Sequence, residues 1–180
     1  SSENPNKAPL TWSTDNGEVT ITDCNEDFAG ELVIPDTIEG NPVTSIGASA
    51  FDRCTSLTSI TLPDSVTSIG DYAFNGCTNL TSITIPDIVA SIGEAAFYSC
   101  NSLTSITIPD SVTSIEVNAF NRCISLTNIA IPDGVTSIGN NAFYLCTSLT
   151  SITLPNSITS IGKDAFKRTN ISYDYIDKSL

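Results

Sequence analysis

Histidine is absent from this chain of 180 residues, and basic side chains are few, with seven Lys and Arg against twenty Asp and Glu. Without histidine, Ser-His-Asp and Cys-His nucleophilic arrangements cannot be assembled. A zinc site loses its commonest nitrogen ligand, and no C-x-x-C pair compensates. The net charge of −13 argues against nucleic-acid binding, which needs a basic surface. The acidity is uneven, because residues 1–39 carry nine carboxylates and one lysine. No run of 18 apolar residues occurs, so a membrane-spanning helix is not expected. The polar start, residues 1–9, reads as a mature chain end rather than a targeting segment. Paired carboxylates could serve a glycosidase, but those of the repeats fall at turns or solvated positions. No enzyme activity and no cofactor is expected.

What is present is a repeat. Residues 78–100, TNLTSITIPDIVASIGEAAFYSC, have close relatives at 55–77, 101–123, 124–146 and 147–169. A fixed period of 23 residues outranks any element-by-element reading, since it signals stacked units. Within 78–100, Ile83 and Ile85 alternate with Ser82 and Thr84, the period of a strand with one buried face. Pro86 has no N–H for a ladder and ends that strand, and Asp87 supplies turn chemistry. Val89 and Ile92 mark a second extended piece, and Gly93 breaks it. Ala96, Phe97 and Cys100, at spacings of three and four, predict about one helical turn. Each unit is therefore expected to be a coil of three sides, two extended and one helical. One coil cannot bury its own apolar face, so neighbours must stack, and every inward position becomes a ladder.

Taken in order, residues 1–9 read as a flexible arm and 10–180 as a single domain. Residues 10–54 hold an N-terminal cap and an irregular first repeat, 55–168 five regular repeats, and 169–180 a C-terminal cap. Asp15-Asn16-Gly17 predicts a hairpin turn between a strand with Trp12 and one with Val19 and Ile21. The first repeat is stretched by five residues that include Glu39-Gly40-Asn41-Pro42, a loop composition. Phe28 lies 23 before Phe51, an agreement the insertion makes accidental. Phe51, Phe74, Phe97, Phe120, Phe143 and Phe166 are expected to form an inward spine. Ile171, Tyr173 and Tyr175 suit a last strand, with Asp174, Asp177 and Lys178 as a polar end cap.

The signatures L-x-x-I-x-I/L-P-D and I-G-x-x-A-F-x-x-C resemble the BspA-like leucine-rich repeats of bacterial surface and secreted proteins. The resemblance runs from Gly30 onward and takes in the cap strand around Val19 and Cys24. It implies a β-rich repeat solenoid of the leucine-rich repeat type, at the cell surface or outside the cell, with an adhesive or protein-binding role and no catalytic residues. One departure is Glu116, where the other copies have Gly47, Gly70, Gly93, Gly139 and Gly162; it argues against a strict left-handed requirement at that turn.

Cys54, Cys77, Cys100, Cys123 and Cys146 also recur at 23 residues. They are expected to be free buried thiols, because a thiol at an inward rung behaves as a small apolar side chain and five rungs cannot all pair within the ladder. Asp64, Asp87, Asp110 and Asp133 form a further ladder, broken by Asn156. They could hold calcium or accept backbone N–H bonds within their turns, and Asn156 could serve only the second role equally well. Residues 23–27 have the first ligand positions of a calcium loop, but Phe28 and Ile34 stand where its Gly and Glu should be.

Two outward surfaces remain for recognition. Ser59/Thr61, Ser82/Thr84, Ser105/Thr107, Asn128/Ala130 and Ser151/Thr153 make a repetitive hydroxyl face that suits glycans, or simply stabilises strands. The edge following each Phe varies instead and carries all three arginines of the chain, Arg53, Arg122 and Arg168. Specific interfaces favour tyrosine and arginine anchors, which singles out Tyr98, Arg122 and Tyr144 as partner-binding candidates. The expected partner is a protein, or an extracellular-matrix or glycan ligand, with no nucleic acid and no membrane insertion, bound by a monomer. Alternatives are a carbohydrate-binding module using the Ser/Thr face, with Thr84 and Thr107 on it, and an architectural spacer in a larger surface protein.

Overall fold

The computed structural model describes residues 10–172. The expected arm at 1–9 lies outside them, as do Tyr173, Tyr175 and the expected polar end cap. Ile171 is described, and it is buried.

The N-terminal hairpin joins β1 (Leu10–Asp15) to β2 (Glu18–Cys24) in antiparallel register, with Asp15 opposite Glu18. Asn16 and Gly17 both have positive φ, at 50° and 79°. That is the two-residue turn whose twist suits flanking strands. Val19, Ile21 and Cys24 turn inward and are buried, while β1 is largely exposed. The short strand β3 (Gly30–Val33) follows. The five extra residues of the first repeat are not a plain loop. They build a second hairpin of β4 (Thr37–Ile38) against β5 (Asn41–Ile46), turning through Glu39 and Gly40.

From here the chain is a solenoid of six coils: 30–54, 55–77, 78–100, 101–123, 124–146 and 147–169. On one side run β3, β6 (Leu57–Thr61), β8 (Ser82–Thr84), β10 (Ser105–Thr107) and β12 (Asn128–Ala130). On the next run β5, β7 (Ser68–Ile69), β9 (Ser91–Ile92), β11 (Ser114–Ile115), β13 (Ser137–Ile138) and β14 (Ser160–Ile161). All coil-to-coil pairings are parallel, as in Ser59↔Ser82 and Ser68↔Ser91. Cap strand β2 pairs in parallel with β5 and so covers the open end of the second sheet.

The third side is not a helical turn, which corrects the expectation from spacing. A helix would close its N–H groups within itself. Here alternate donors leave the coil: Phe51 N–H donates to the Ala73 carbonyl at 2.7 Å and Arg53 N–H to Asn75 at 2.7 Å. The donors between them close tight turns inside the coil, with Asp52 N–H to Ser49 at 3.0 Å and Cys54 N–H to Phe51 at 3.2 Å. Left-handed residues recur every fourth position, Ser49 and Arg53 in the first coil and Ala95 and Ser99 in the third. Stacking thus gives a non-helical segment the inter-coil bonds that buried backbone requires.

The core is a set of ladders. Phe51, Phe74, Phe97, Phe120 and Phe143 are wholly buried, and Phe166 at the end is nearly so. Neighbouring rings of the six are parallel within 8° and have centroids 5.2–5.5 Å apart. Burying each such ring contributes roughly 1.5–3 kcal/mol. Phe28 stays outside the stack, partly buried against the core. Beside the rings, Cys77, Cys100, Cys123 and Cys146 each donate a thiol to the carbonyl of the Phe 26 residues earlier, at 3.1–3.2 Å. All six cysteines are free and buried.

Both sheets break between coils 78–100 and 101–123: β8 does not pair with β10, nor β9 with β11. Recurrent bonds such as Thr81 N–H to Thr58 at 3.0 Å and Gly93 N–H to Ile69 at 2.9 Å have no counterpart there from Thr104, Thr113 or Glu116. The turn side stays closed, with Phe97 N–H to Ala119 at 2.9 Å. Glu116 supplies the reason. The glycines at its position are not left-handed, since none of the five is among the positive-φ residues. They are places of close approach: a Cβ at Gly139 would sit 2.5 Å from the Val117 nitrogen, and one at Gly70 2.6 Å from that of Ala48. A side chain at 116 forbids the same approach to the preceding coil, and the strand sides lose their ladder bonds in a seam, across which β8 and β10 remain neighbours.

Candidate interaction surface

Three sequence-predicted residues lie on the turn edge. Tyr98 and Tyr144 occupy the position after the Phe, in coils three and five, with Asn121 between them in coil four. The Phe rings that precede them are 5.5 and 5.4 Å apart. Both tyrosines are half-buried and Asn121 is 7% exposed. Its amide nitrogen donates to Asn118 Oδ1 at 2.8 Å, while its own Oδ1 is buried without a partner. Such an orphaned acceptor costs about 1–3 kcal/mol. Arg122 is exposed one position further on, at φ 64°. It does not stack on Tyr144. Arg168 does, with its guanidinium carbon 5.9 Å from the ring centroid. Sequence reading placed Arg168 on this edge without singling it out; its signal was the offset of one 23-residue coil from Leu145.

The Ser/Thr face is as flat as the repeat implies. Thr61, Ser82, Thr84, Ser105, Thr107, Asn128, Ala130, Ser151 and Thr153 are all exposed. Thr61 pairs with Thr84 and Thr107 with Ala130, and a single bridge continues from Ala130 to Thr153. Thr84 and Thr107 flank the seam, so the face is interrupted midway.

The second sheet carries a surface that sequence reading did not single out. A shallow groove of about 580 Å³ is lined by Ser68, Ser91 and Ser114 with Asp71, Glu94 and Glu116. Asp71 Oδ1 accepts the Glu94 N–H at 2.8 Å, and Ser114 Oγ donates to Glu116 Oε1 at 2.6 Å. The Glu94 carboxylate beside Tyr72, with lesser help from burial and a 3.4 Å hydrogen bond, pushes the Tyr72 hydroxyl up. The 23-residue offset of Asp71 and Glu94 was its signal in the sequence.

The aspartate ladder does not hold its turns. Asp64, Asp87, Asp110 and Asp133 are exposed. Their turns close through the backbone instead, as in Val66 N–H to the Pro63 carbonyl at 3.1 Å and Val89 to Pro86 at 3.1 Å. Among the described residues no group of three or more acidic, Cys or His side chains is placed to hold a metal ion. Nor, among them, is any helix long and apolar enough to cross a membrane. Burial pushes the Cys77 and Cys146 thiols up to about 12 and raises Cys100 and Cys123 as well. Such thiols carry almost no thiolate at neutral pH, so the rungs are poor nucleophiles.

The family model of the BspA type leucine rich repeat region matches residues 28–127 and 67–180, with six copies. No curated protein matches the chain. Among solved structures, a leucine-rich repeat protein of T. pallidum superposes with a TM-score of 0.72 at 26% identity, over 93% of this chain and 90% of that one. A leucine rich cell surface protein of Faecalibacterium prausnitzii has a TM-score of 0.67 at 30% identity, over 96% of this chain but only 56% of its own. A leucine-rich repeat protein of Bacteroides capillosus is 34% identical, with a TM-score of 0.56, over 67% of this chain and 92% of that one.

Proposed function

The chain belongs to the BspA-type leucine-rich repeat family, and on that premise we propose that it is a non-enzymatic binding module, exposed on a bacterial surface or secreted, that mediates adhesion to a protein or extracellular-matrix partner. The surface location is supported by the Faecalibacterium relative, itself described as a cell surface protein. The non-catalytic reading is supported by the raised thiols and by the lack of histidine. The partner docks on the turn edge, at Tyr98, Arg122 and Tyr144. One observation carries this: two tyrosines stand in one ladder, two coils apart, and the rung between them is Asn121, whose buried side-chain oxygen has no partner. Rigid aromatic side chains held by a stacked backbone lose little freedom on binding. Arg168, already stacked on Tyr144, extends the same edge.

The hydroxyl face supports a second reading, a carbohydrate-binding module, because its Ser and Thr rungs are exposed in register. A panel of extracellular-matrix proteins and a glycan array, probed with the purified protein, separates the two. For the strongest hit, Tyr98→Ala and Tyr144→Ala are expected to weaken binding at least tenfold each, with Thr84→Arg and Thr107→Arg leaving it within a factor of two or so, since interface anchors of this type typically cost over 1 kcal/mol when truncated. Affinity lost only in the threonine variants rejects the turn edge.

A further inference from the structure

The cysteine ladder has one rung that differs. Cys77, Cys100, Cys123 and Cys146 each bond the carbonyl of the Phe 26 residues earlier, at 3.1–3.2 Å. By that rule Cys54 should bond Phe28. The hairpin inserted at β4 and β5 throws Phe28 out of the stack, and the Cys54 thiol lies instead 3.9 Å from the Cys24 carbonyl oxygen. The Cys24 thiol in turn lies 3.8 Å from the Asn25 carbonyl oxygen, so both sulfurs sit at the same junction of cap and coil. Cys24 ends the cap strand β2 and Cys54 closes the first coil, both wholly inside, at 2% and 1% exposure. Of the six thiols, this pair joins two different units of the fold.

We propose that Cys24 and Cys54 close into an intramolecular disulfide that locks the N-terminal cap onto the first coil, while the four remaining rungs stay reduced. The Cys54 sulfur already lies beside the Cys24 backbone, and rotation of the two side chains is what closes the ~2.05 Å S–S bond. The roles within the pair differ. The neighbouring Cys54 thiol lowers Cys24 against the opposing effects of burial and Asp23, while Cys24 and burial raise Cys54. Cys24 sits at the strand end next to the exposed turn at Asn25 and Glu26, so it is the sulfur an oxidant reaches first and the one that attacks. Its thiolate attacks one sulfur of a small-molecule disulfide and expels one thiolate, leaving a mixed disulfide. Cys54 then loses its proton to solvent, and its sulfur attacks the Cys24 sulfur and expels the second thiolate. Two protein thiols give up two electrons and two protons, and the oxidant becomes two thiols. Persistence of the bond outside the cell depends on the surface location proposed above; its formation does not.

The test is equilibration of the whole chain with oxidised glutathione, followed by denaturation, alkylation and peptide mapping by mass. The expected result is one Cys24–Cys54 link, four alkylated cysteines, and an unfolding midpoint raised by roughly 5–10 °C, as expected for closing a loop of this length. Cys24→Ser and Cys54→Ala are each expected to abolish both the link and the rise. Six alkylated cysteines, a link between two ladder rungs, a glutathione adduct that never resolves, or a link that survives in Cys24→Ser would each overturn the assignment.

Discussion

Two junctions of the solenoid look alike in sequence and differ in structure. Between coils 55–77 and 78–100 every side is bonded: β6 pairs β8, β7 pairs β9, and Gly93 N–H reaches Ile69 at 2.9 Å. Between 78–100 and 101–123 the turn side is bonded, Ser111 Oγ reaches the Asp87 carbonyl at 2.9 Å at the corner, and both strand sides lack their backbone ladders. The strand residues flanking β8 and β10 are the same Ser-Ile-Thr. Among the residues that do differ, Glu116 on another side is the one that replaces a close-approach glycine. A coil is rigid enough that holding one strand away from its neighbour also costs the other strand its ladder bonds. A substitution in a stacked repeat is therefore felt across the whole coil, while the neighbouring junctions at Gly93 and Gly139 remain closed.

The largest test of that difference is on the side that still holds. The Phe97 and Phe120 rings, 5.5 Å apart, bridge the seam. Phe97→Ala is expected to cost about 3–5 kcal/mol through the cavity left. Because the strand sides already lack ladder bonds there, the two halves should also separate into two transitions on urea denaturation. A near-neutral, single transition would show that the Phe stack does not join the coils. Next in size, Gly139→Glu should open a second seam. Its Cβ would meet the Val117 nitrogen at 2.5 Å, and the forced displacement is expected to cost about 1–3 kcal/mol. An unchanged urea midpoint would remove close approach as the cause of the break. The smallest effect belongs to Glu116→Gly. Each ladder bond regained contributes about 0.5–1.5 kcal/mol, offset by the ~0.5–1 kcal/mol that glycine loses in chain entropy. Global stability should rise only slightly, but amide hydrogen exchange at residues 104, 113 and 116 should slow markedly. Unaltered exchange there would mean that the seam has another origin.

Much of this was legible along the chain. The 23-residue period located the coils, the Phe spine and the buried thiols, because an inward position in one copy must be inward in all. The prolines marked the strand ends, and Asn16-Gly17 marked the cap hairpin. The turn-edge residues Tyr98 and Tyr144 could be placed in one ladder by counting. The third side was misread, because spacings of three and four at Ala96, Phe97 and Cys100 suit a helical turn and a chain of tight turns equally well. Glu39-Gly40 was read as loop composition although two adjacent positive-φ residues also make the tightest hairpin. Arg168 on Tyr144 and the acidic groove of Asp71, Glu94 and Glu116 depend on side-chain directions that no period states.

The sequence by itself determined the unit, the stacking and the residues that face inward, since apolar periodicity acts within a single coil and repeats with it. Only the tertiary structure decided where each backbone donor goes, why the glycines are there and which thiol meets Cys54. Those depend on the distance between one coil and the next, which at Gly139 leaves no room for a Cβ, and on where the inserted hairpin of the first coil places Cys54. Such quantities arise only when neighbours press against each other, so no reading of a single repeat contains them.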